Sequence, residues 1–306
     1  MDSMNRRDFL TRTTTAAVGL SLGARVLADP AAQTRPSAGK APLKAADQVV
    51  LAKTGIKTSR LSIGTGTKGG SEQKQQGVEG MVKLFRSALD EGVRWWDVAD
   101  MYKSHPYVKA ALKEVKRDQV TITSKTWCRE KTGNEARDKV VEDVKRFRDE
   151  MGTDYIDIVL LHCMEDPAWP TKLRPAMDAL SEMKEKGWVR AVGCSCHSFE
   201  ALKAAADEPW VEVDLARINP FATLMDVKKA EEVSRVEAVL KTMHERGKAV
   251  YGMKILGEGQ FKGERIEESL RFALSKPYLS GFTIGFSKPE QITDIARRID
   301  RLGIRA

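Results

Sequence analysis

Apolar and polar residues follow one another along this chain in two alternating patterns. Short runs rich in β-branched residues are typical of buried strands, and they alternate with longer segments whose apolar residues recur every three or four positions. Strands are predicted at residues 61–64, 93–98, 120–124, 155–161, 189–194, 211–218, 249–253 and 279–285. Helices are predicted at residues 80–91, 107–116, 135–151, 175–186, 199–206, 230–246, 266–275 and 289–301. Strict alternation of eight strands with eight helices predicts a single-domain (β/α)8 barrel, the TIM barrel of the α/β class.

The edges of the predicted elements support this order. Gly92, Gly152, Gly187 and Gly247 each follow a predicted helix, where glycine is the usual terminator. A short hairpin with its turn region at residues 53–57 is expected before the first barrel strand. The expected organisation is a signal peptide over residues 1–28, a Pro/Ala-rich linker over 29–45 and the barrel over 46–306.

Composition excludes some classes of protein. The chain has 306 residues, 42% of them hydrophobic, which is enough for one large folded domain. The net charge of +8 is mild, and the basic residues are scattered among acidic ones rather than clustered with aromatic residues. Nucleic acid is therefore not an expected partner.

The first 28 residues have the pattern of an export signal. Arg6 and Arg7 are followed by a polar residue, Phe9 and Leu10, and then by a weakly apolar stretch that ends at Ala28. This order is typical of twin-arginine (Tat) signals, so we expect the Tat machinery as a partner and a periplasmic location. A disordered basic tail is the alternative. The apolar stretch is short, so no stable membrane anchor is expected after cleavage.

A glycine-rich segment follows the first predicted strand. Residues 64–69 (GTGTKG) fit the dinucleotide-binding spacing G-x-G-x-x-G. That motif needs a helix opening at its third glycine, but a polar segment, GSEQKQQG, follows instead. A loop at the barrel mouth is the favoured interpretation.

Four residues with acid–base chemistry lie at or just beyond the ends of three successive predicted strands. Asp97 ends the second strand, Tyr102 lies in the following loop, and Lys125 and His162 end the third and fourth. Neighbouring strands are about 4.8 Å apart, so these side chains are expected to meet at one mouth of the barrel. Asp97 is expected to pair with Lys125, and an ammonium near Tyr102 is expected to lower the pKa of its phenol. Individually each residue also has a structural interpretation, such as a cap, a loop anchor or a buried histidine.

The chain resembles the aldo-keto reductase superfamily from about residue 48 to residue 301. The resembling segments are RLSIGTGT, GVRWWDVADMY, TSK, DYIDIVLLH, KGWVRAVGCS, KILGEG and TIGFSKPEQI. The resemblance implies that a nicotinamide cofactor lies across the barrel mouth and gives hydride to a carbonyl carbon while Tyr102 protonates its oxygen. Asp97 and Lys125 would tune Tyr102, and His162 would bind the substrate. The implied cofactor-binding residues are Gly64, Thr65, Ser195, Asn219, Met253, Lys254, Leu256, Ser287, Lys288 and Gln291.

The chain departs from the family pattern at the cofactor contacts. Cys196 replaces the Asn that usually follows Ser195, which weakens the carboxamide contact unless His197 substitutes for it. Met253 stands where an aromatic residue often stacks on the nicotinamide. Lys288 is the only charge in the expected 2′-phosphate segment. NADP is therefore the family default and NAD the alternative.

The remaining candidates concern the cysteines and the substrate pocket. Cys128, Cys163, Cys194 and Cys196 lie at or just beyond predicted strand ends. We interpret them as small buried fillers and expect no metal; a metal or redox site is the alternative, and a single disulfide is compatible with export. Trp127 and His197 are the candidates to line the substrate pocket.

Two functions from different classes follow. The first is an exported NAD(P)-dependent oxidoreductase acting on an aldehyde or ketone, or on the corresponding alcohol, with Tyr102 as general acid and base. The second is a nicotinamide-binding accessory or sensing protein with little turnover. Free nicotinamide cofactor is expected to be scarce outside the cytoplasm, so retention of the cofactor would distinguish them. The sequence does not identify the substrate.

Overall fold

Eight parallel strands close into a barrel in the computed structural model, which describes residues 41–305. A two-stranded antiparallel hairpin precedes the barrel, whose strand order is β10-β3-β4-β5-β6-β7-β8-β9. The strands are β1 Gln48–Val50, β2 Lys57–Ser59, β3 Leu61–Gly64, β4 Trp95–Asp97, β5 Thr121–Thr126, β6 Ile156–Met164, β7 Val189–Cys196, β8 Val213–Arg217, β9 Ala249–Met253 and β10 Gly281–Gly285. The predicted (β/α)8 barrel is confirmed.

Helices follow the barrel strands and cover the outside of the sheet. They are α1 Ser71–Lys74, α2 Gly77–Asp90, α3 His105–Ala111, α4 Gly133–Met151, α5 Trp169–Lys172, α6 Arg174–Glu185, α7 Phe199–Asp207, α8 Val233–Glu245, α9 Glu264–Leu274 and α10 Pro289–Leu302. Each predicted helix is present. Within residues 41–305, no helix combines the length and the apolar character needed to cross a membrane.

The differences from the predicted elements lie at their ends. The first barrel strand, β3, begins at Leu61 as predicted. By contrast, β6 continues three residues beyond its predicted end, and its pairing with β7 changes register between Leu161 and Met164. The one-turn helices α1 and α5 are too short to show a period, and the sequence did not predict them. The glycine-rich segment runs through a 3₁₀ turn over Thr67–Gly70 into α1, so no long helix opens at its third glycine.

The strands are buried on both faces, as expected for parallel strands covered by helices. Inside the barrel, Trp95, Leu160, Leu215 and Tyr251 form one apolar cluster with Leu51 from the hairpin connection, so the hairpin contributes to the inner core. A larger cluster joins the outward side chains to the helices. The interior of the barrel is therefore a packed core.

Residues 42–45 pack beside the last residues that the structure describes. Leu43 N–H donates to the carbonyl of Ile304 at 2.7 Å, and Pro42 forms an isolated bridge with Arg305. Leu43 and Ala45 are buried in the outer core, although the sequence assigned both to the linker. The packed part of the chain thus begins by residue 42, because these two apolar side chains have a surface to bury against. The predicted signal peptide and residues 29–40 of the linker lie outside the described residues.

Candidate active site

An ion pair between neighbouring strands forms the base of the site. Asp97 on β4 pairs in register with Thr123 on β5, which places Lys125 two residues closer to the mouth on the same face. The Lys125 Nζ lies 2.5 Å from Asp97 Oδ1 and donates to the carbonyl of Val98 at 2.9 Å. Both side chains are buried, and burial raises the pKa of Asp97 while the Lys125 charge offsets part of that rise. The predicted pairing is present.

Tyr102 and His162 lie above this ion pair. Tyr102 ends a 3₁₀ turn over Asp100–Tyr102, and its hydroxyl is 3.3 Å from His162 Nε2 on β6. The Lys125 Nζ is 5.1 Å from the centre of the Tyr102 ring. The four side chains that the sequence places at three strand ends therefore meet at one mouth, as the barrel predicts.

Burial controls the charge of the phenol and of the imidazole. Burial and then the charge of Asp97 raise the pKa of Tyr102 well above its usual value, so the net lowering of this pKa expected from Lys125 is not found in the protein alone. The physical reason is that the Lys125 ammonium is directed to Asp97 and Val98 rather than to the phenol. Burial and then Lys125 lower the pKa of His162 well below its usual value. At neutral pH the phenol keeps its proton and the imidazole is neutral.

Residues that the sequence did not identify hold Tyr102 in place. Gly66 lies against its ring, so a Cβ there would be 2.5 Å from two ring carbons. Asp100 accepts two hydrogen bonds from Arg146 on α4, at 3.0 and 2.9 Å, and so ties the Tyr102 turn to that helix. The position of Gly66 in the loop after the first barrel strand could have pointed to its role. Nothing in the sequence around Arg146 indicates that it holds Asp100.

A cavity of about 420 Å³ opens from this group along the mouth. Asp97 and Tyr102 line one end, and Ser287 and Gln291 line the other. Six of the ten predicted cofactor-binding residues line the cavity: Gly64, Met253, Lys254, Leu256, Ser287 and Gln291. Most of the lining residues come from the loops after β3, β9 and β10.

Thr65 and Asn219 support loops instead of lining the cavity. The Thr65 side chain is buried, with Oγ1 3.1 Å from the Asp97 carbonyl oxygen and 3.0 Å from Ser104 Oγ. Asn219 donates to the carbonyls of Thr223 and Lys254 at 2.8 and 3.2 Å. In this structure both side chains therefore hold neighbouring loops, and their predicted contacts with a cofactor stay predictions.

Ser195 also lies outside the cavity. It is buried, and its Oγ accepts from the backbone N–H of Cys163 at 3.0 Å. Cys196 is buried too, and its side chain belongs to the outer core rather than to the mouth. Cys196, which stands where the family usually has a carboxamide-binding Asn, therefore faces outward from β7, on the opposite side of the strand from Ser195.

The far end of the cavity carries helix-capping contacts. Gln291 Oε1 accepts from the backbone N–H groups of Ser287 and Lys288 at 2.8 and 3.1 Å. Lys288 is exposed beside the cavity and does not line it. Of the three residues predicted to reach a 2′-phosphate, Ser287 and Gln291 line the cavity, and the contact of Lys288 stays a prediction.

Two lysines that line the cavity are paired with acidic side chains, which the sequence did not indicate. Lys254 pairs with Glu258, and Lys68 pairs with Glu72 at 2.7 Å. All four residues line the cavity. A diphosphate that binds Lys254 must therefore compete with the Glu258 carboxylate.

The two predicted substrate-pocket residues lie on the other side of His162. The Trp127 ring packs edge-on against the His162 ring, with centroids 5.5 Å apart. His197 Nε2 is 3.4 Å from Cys163 Sγ. Burial raises the pKa of the Cys163 thiol to about 11, and burial and then Arg217 lower the pKa of His197 to about 3, so this pair is uncharged at neutral pH. Trp127 contacts the catalytic group, whereas His197 contacts it only through Cys163.

All four cysteines are free and buried in the described part of the chain. Cys194 and Cys196 lie closest together, with their sulfur atoms 3.8 Å apart. No disulfide is present between them in this structure.

A profile of the Aldo/keto reductase family matches residues 60–269. The aldo-keto reductase YhdN of Bacillus subtilis (strain 168) is 34% identical over 163 residues, which cover 50% of this chain and 47% of that protein. The NADPH-dependent codeinone reductase 1-3 of Papaver somniferum is 25% identical over 219 residues, 64% of each chain. The chain thus spans about half to two thirds of the length of these curated relatives.

Solved structures share the fold at lower sequence identity. A putative aldo-keto reductase from Pseudomonas aeruginosa is 18% identical with a TM-score of 0.69, covering 84% of this chain and 96% of that one. The Bombyx mori aldo-keto reductase in complex with NADP is 16% identical with a TM-score of 0.62, covering 84% and 88%. At this level of identity the likeness concerns the fold alone.

Proposed function

Since the chain belongs to the aldo/keto reductase family, we propose that it is an NAD(P)H-dependent carbonyl reductase that also catalyses the reverse alcohol oxidation. The observation that carries the proposal is the Tyr102 hydroxyl, which lies 3.3 Å from His162 Nε2 at the floor of the cavity, above the Asp97–Lys125 pair. A protonated phenol beside a neutral imidazole can protonate one carbonyl oxygen while the imidazole orients it.

Each of the four residues has a separate task in this proposal. Tyr102 donates its proton to the carbonyl oxygen, and its high pKa keeps that proton in place until negative charge develops on the oxygen. His162 donates a hydrogen bond to the same oxygen from Nε2. Lys125 stabilises the phenolate that remains, and Asp97 fixes the position of Lys125. Trp127 forms an apolar wall next to His162.

The cavity offers groups that suit a nicotinamide cofactor. Met253 would pack against the nicotinamide, Lys254 and Lys68 would meet the diphosphate, and Ser287 and Gln291 would meet the adenosine end. When bound, the reduced cofactor supplies the hydride. NADP is the proposed cofactor, in line with the NADPH-dependent codeinone reductase and the NADP complex among the similar proteins, and NAD is the alternative.

A test of this proposal compares the wild-type protein with Tyr102→Phe. The wild type should oxidise NADPH in the presence of a panel of small aldehydes and ketones. Tyr102→Phe should lose about 10²- to 10⁴-fold in kcat, because the general acid is gone. It should still bind NADPH, as measured by the fluorescence of the bound dinucleotide. Tight NADPH binding without turnover of any carbonyl by the wild type would instead support the low-turnover accessory role.

The location of the protein is a second proposal, and it rests on residues 1–28 alone. Arg6 and Arg7 support Tat-dependent export to the periplasm, with the folded barrel crossing the membrane before the signal is removed. In a cell fractionation, the wild type should reach the periplasm, and Arg6→Lys/Arg7→Lys should remain inside. Equal distribution of the two proteins would rule out this route.

Export gives a reason to expect that the cofactor stays bound. If the barrel folds around its dinucleotide before export, protein purified from the periplasm should carry NADP(H), and two substrates should be used in turn with ping-pong kinetics. Protein from the periplasm that contains no dinucleotide would show that bound cofactor is not carried out with the chain.

A further inference from the structure

Two cysteines and an aspartate meet on the outer face of the barrel, on the opposite side of the sheet from the cavity. Cys194 and Cys196 are two residues apart on β7, so their side chains share one face, and Asp214 on β8 is paired in register with Cys194. The two sulfur atoms are 3.8 Å apart. Asp214 Oδ1 lies 3.5 Å from Cys194 Sγ and 3.9 Å from Cys196 Sγ. All three side chains are fully buried.

These three distances match one face of a tetrahedral zinc site. With Zn–S bonds of about 2.3 Å and a Zn–O bond of about 2.0 Å, two thiolates on one ion are about 3.8 Å apart and a thiolate and a carboxylate oxygen are about 3.5 Å apart. The observed separations of 3.8 and 3.5 Å agree with this geometry, and the 3.9 Å between Cys196 Sγ and Asp214 Oδ1 is somewhat longer than it requires. Thiolate and carboxylate are also ligand types that zinc accepts together.

The carboxylates around the cysteines have oxygen atoms without partners. Asp214 Oδ2 and Asp226 Oδ2 are both buried, and neither has a hydrogen-bond partner among the described residues. Asp226 is held by Arg217, whose Nε donates to Oδ1 at 2.9 Å, which leaves Oδ2 free. Buried carboxylate oxygens without a donor are costly, so a cation near them would remove an energetic penalty.

The surrounding charges balance when a divalent cation replaces the two thiol protons. Four negative groups would then be present: the thiolates of Cys194 and Cys196 and the carboxylates of Asp214 and Asp226. Arg217 beside Asp226 and the buried Lys248 supply two positive charges, and the ion supplies the other two. Lys248 is fixed by the carbonyls of Ala205 and Glu208, at 2.7 and 2.5 Å.

We propose that Cys194, Cys196 and Asp214 bind a structural Zn²⁺ ion. Since the three ligands are fully buried, the ion is bound as the chain folds. It would fix the end of β7, where Ser195 points to the opposite face and accepts the hydrogen bond from Cys163, the residue after His162. The site would therefore support the catalytic mouth from behind.

A second group with metal-binding residue types lacks these features. Asp100, His105 and Glu150 also lie close together, but both carboxylates accept hydrogen bonds from Arg146. His105 has partners for both ring nitrogens, Glu150 at 2.7 Å and Ser124 at 2.8 Å. The guanidinium already supplies the positive charge there, so the proposal concerns the cysteine site alone.

Elemental analysis of the purified full-length protein tests the proposal. Protein produced in zinc-supplemented medium and purified without chelators should contain about one zinc per chain. Cys196→Ser should lose most of the zinc, whereas Cys128→Ser, which removes a buried thiol elsewhere in the outer core, should keep it. Zinc retained by Cys196→Ser, or wild-type protein free of zinc, would overturn the proposal.

A measurement on the wild type keeps the test decisive if Cys196→Ser fails to fold. Protein produced with Co²⁺ in place of Zn²⁺ should show thiolate-to-cobalt charge-transfer absorption in the near ultraviolet together with visible bands of tetrahedral cobalt. Absence of these bands, or a Cys194–Cys196 disulfide found by mass spectrometry of a proteolytic digest, would contradict the site. Four free thiols in metal-free wild-type protein would contradict it equally.

Discussion

The charge of Lys125 is divided between two acceptors, and this limits what it does for Tyr102. The Lys125 ammonium donates its hydrogen bonds to Asp97 and to the Val98 carbonyl, so burial has a larger effect on the pKa of Tyr102 than the ammonium has. A neutral Tyr102 is the protonation state that carbonyl reduction needs. The Asp97–Lys125 ion pair therefore has two tasks: it holds the Lys125 ammonium near Tyr102, and it stabilises the phenolate that forms when Tyr102 has given up its proton.

Breaking this ion pair should cost stability in a way that depends on which residue is removed. Lys125→Met leaves the Asp97 carboxylate buried without its partner, and we expect a loss of about 3 kcal/mol in the free energy of unfolding. Asp97→Asn/Lys125→Met removes both charges and should recover part of that loss while remaining inactive. Urea unfolding followed by circular dichroism measures both variants. A double variant no more stable than Lys125→Met would contradict this account.

Glu258 should weaken cofactor binding in the wild type, because its carboxylate forms an ion pair with the Lys254 ammonium that would otherwise bind the diphosphate. Glu258→Gln removes the competing carboxylate and should tighten NADPH binding about fivefold, which corresponds to about 1 kcal/mol. Lys254→Met should weaken binding instead. Glu264→Gln, an exposed residue beside the same loop that does not line the cavity, is the matched control and should change nothing. Fluorescence titration with NADPH gives the three dissociation constants. No change in Glu258→Gln would show that Lys254 does not meet the diphosphate.

At the scale of elements, the site depends on two loops that converge on Tyr102. One loop carries Gly66 after β3, and the other carries Asp100 after β4, tied to α4 through Arg146. Strand ends were predictable because β-branched runs and terminating glycines mark them. Contacts between loop side chains, such as that of Glu258 with Lys254, were not predictable, because the local sequence does not show whether a charged side chain has an ion-pair partner.

Gly66→Ala tests how tightly these loops fit. The added Cβ would lie 2.5 Å from two carbons of the Tyr102 ring, and the backbone φ of −105° at Gly66 suits alanine, so the effect should be steric alone. We expect a loss of at least tenfold in kcat with little change in the free energy of unfolding. Gly69→Asn is the control, since no atom lies within 4 Å of a Cβ there and asparagine tolerates its φ of +67°. Full activity of Gly66→Ala would mean that the ring has room to move.

At the scale of the whole molecule, the order of eight strands and eight helices placed the four catalytic candidates without any knowledge of their contacts. The barrel brings every strand end to one mouth, so Asp97, Lys125 and His162 were predictable from strand boundaries alone. That Thr65, Ser195 and Asn219 do not line the cavity was not predictable, because each lies near the mouth and has buried hydrogen-bond partners. Side-chain direction at a strand end depends on packing, which the sequence does not specify.

The contribution of residues 42–45 to the stability of the barrel should be measurable. Deleting residues 1–45 removes the buried Leu43 and its hydrogen bond to Ile304, and we expect about 2 kcal/mol less stability than in the matched deletion of residues 1–40. Thermal unfolding of the two truncated proteins makes the comparison. Equal stability would show that residues 42–45 belong to the linker after all.

The central claim is that hydride passes directly to a carbonyl carbon above Tyr102. Its most direct test is a reaction of the wild type with NADPH that carries deuterium at both positions of the nicotinamide C4, followed by mass spectrometry of the alcohol product. The account predicts that the former carbonyl carbon carries the deuterium in unlabelled water. An alcohol without the label, or one labelled only in heavy water, would contradict it.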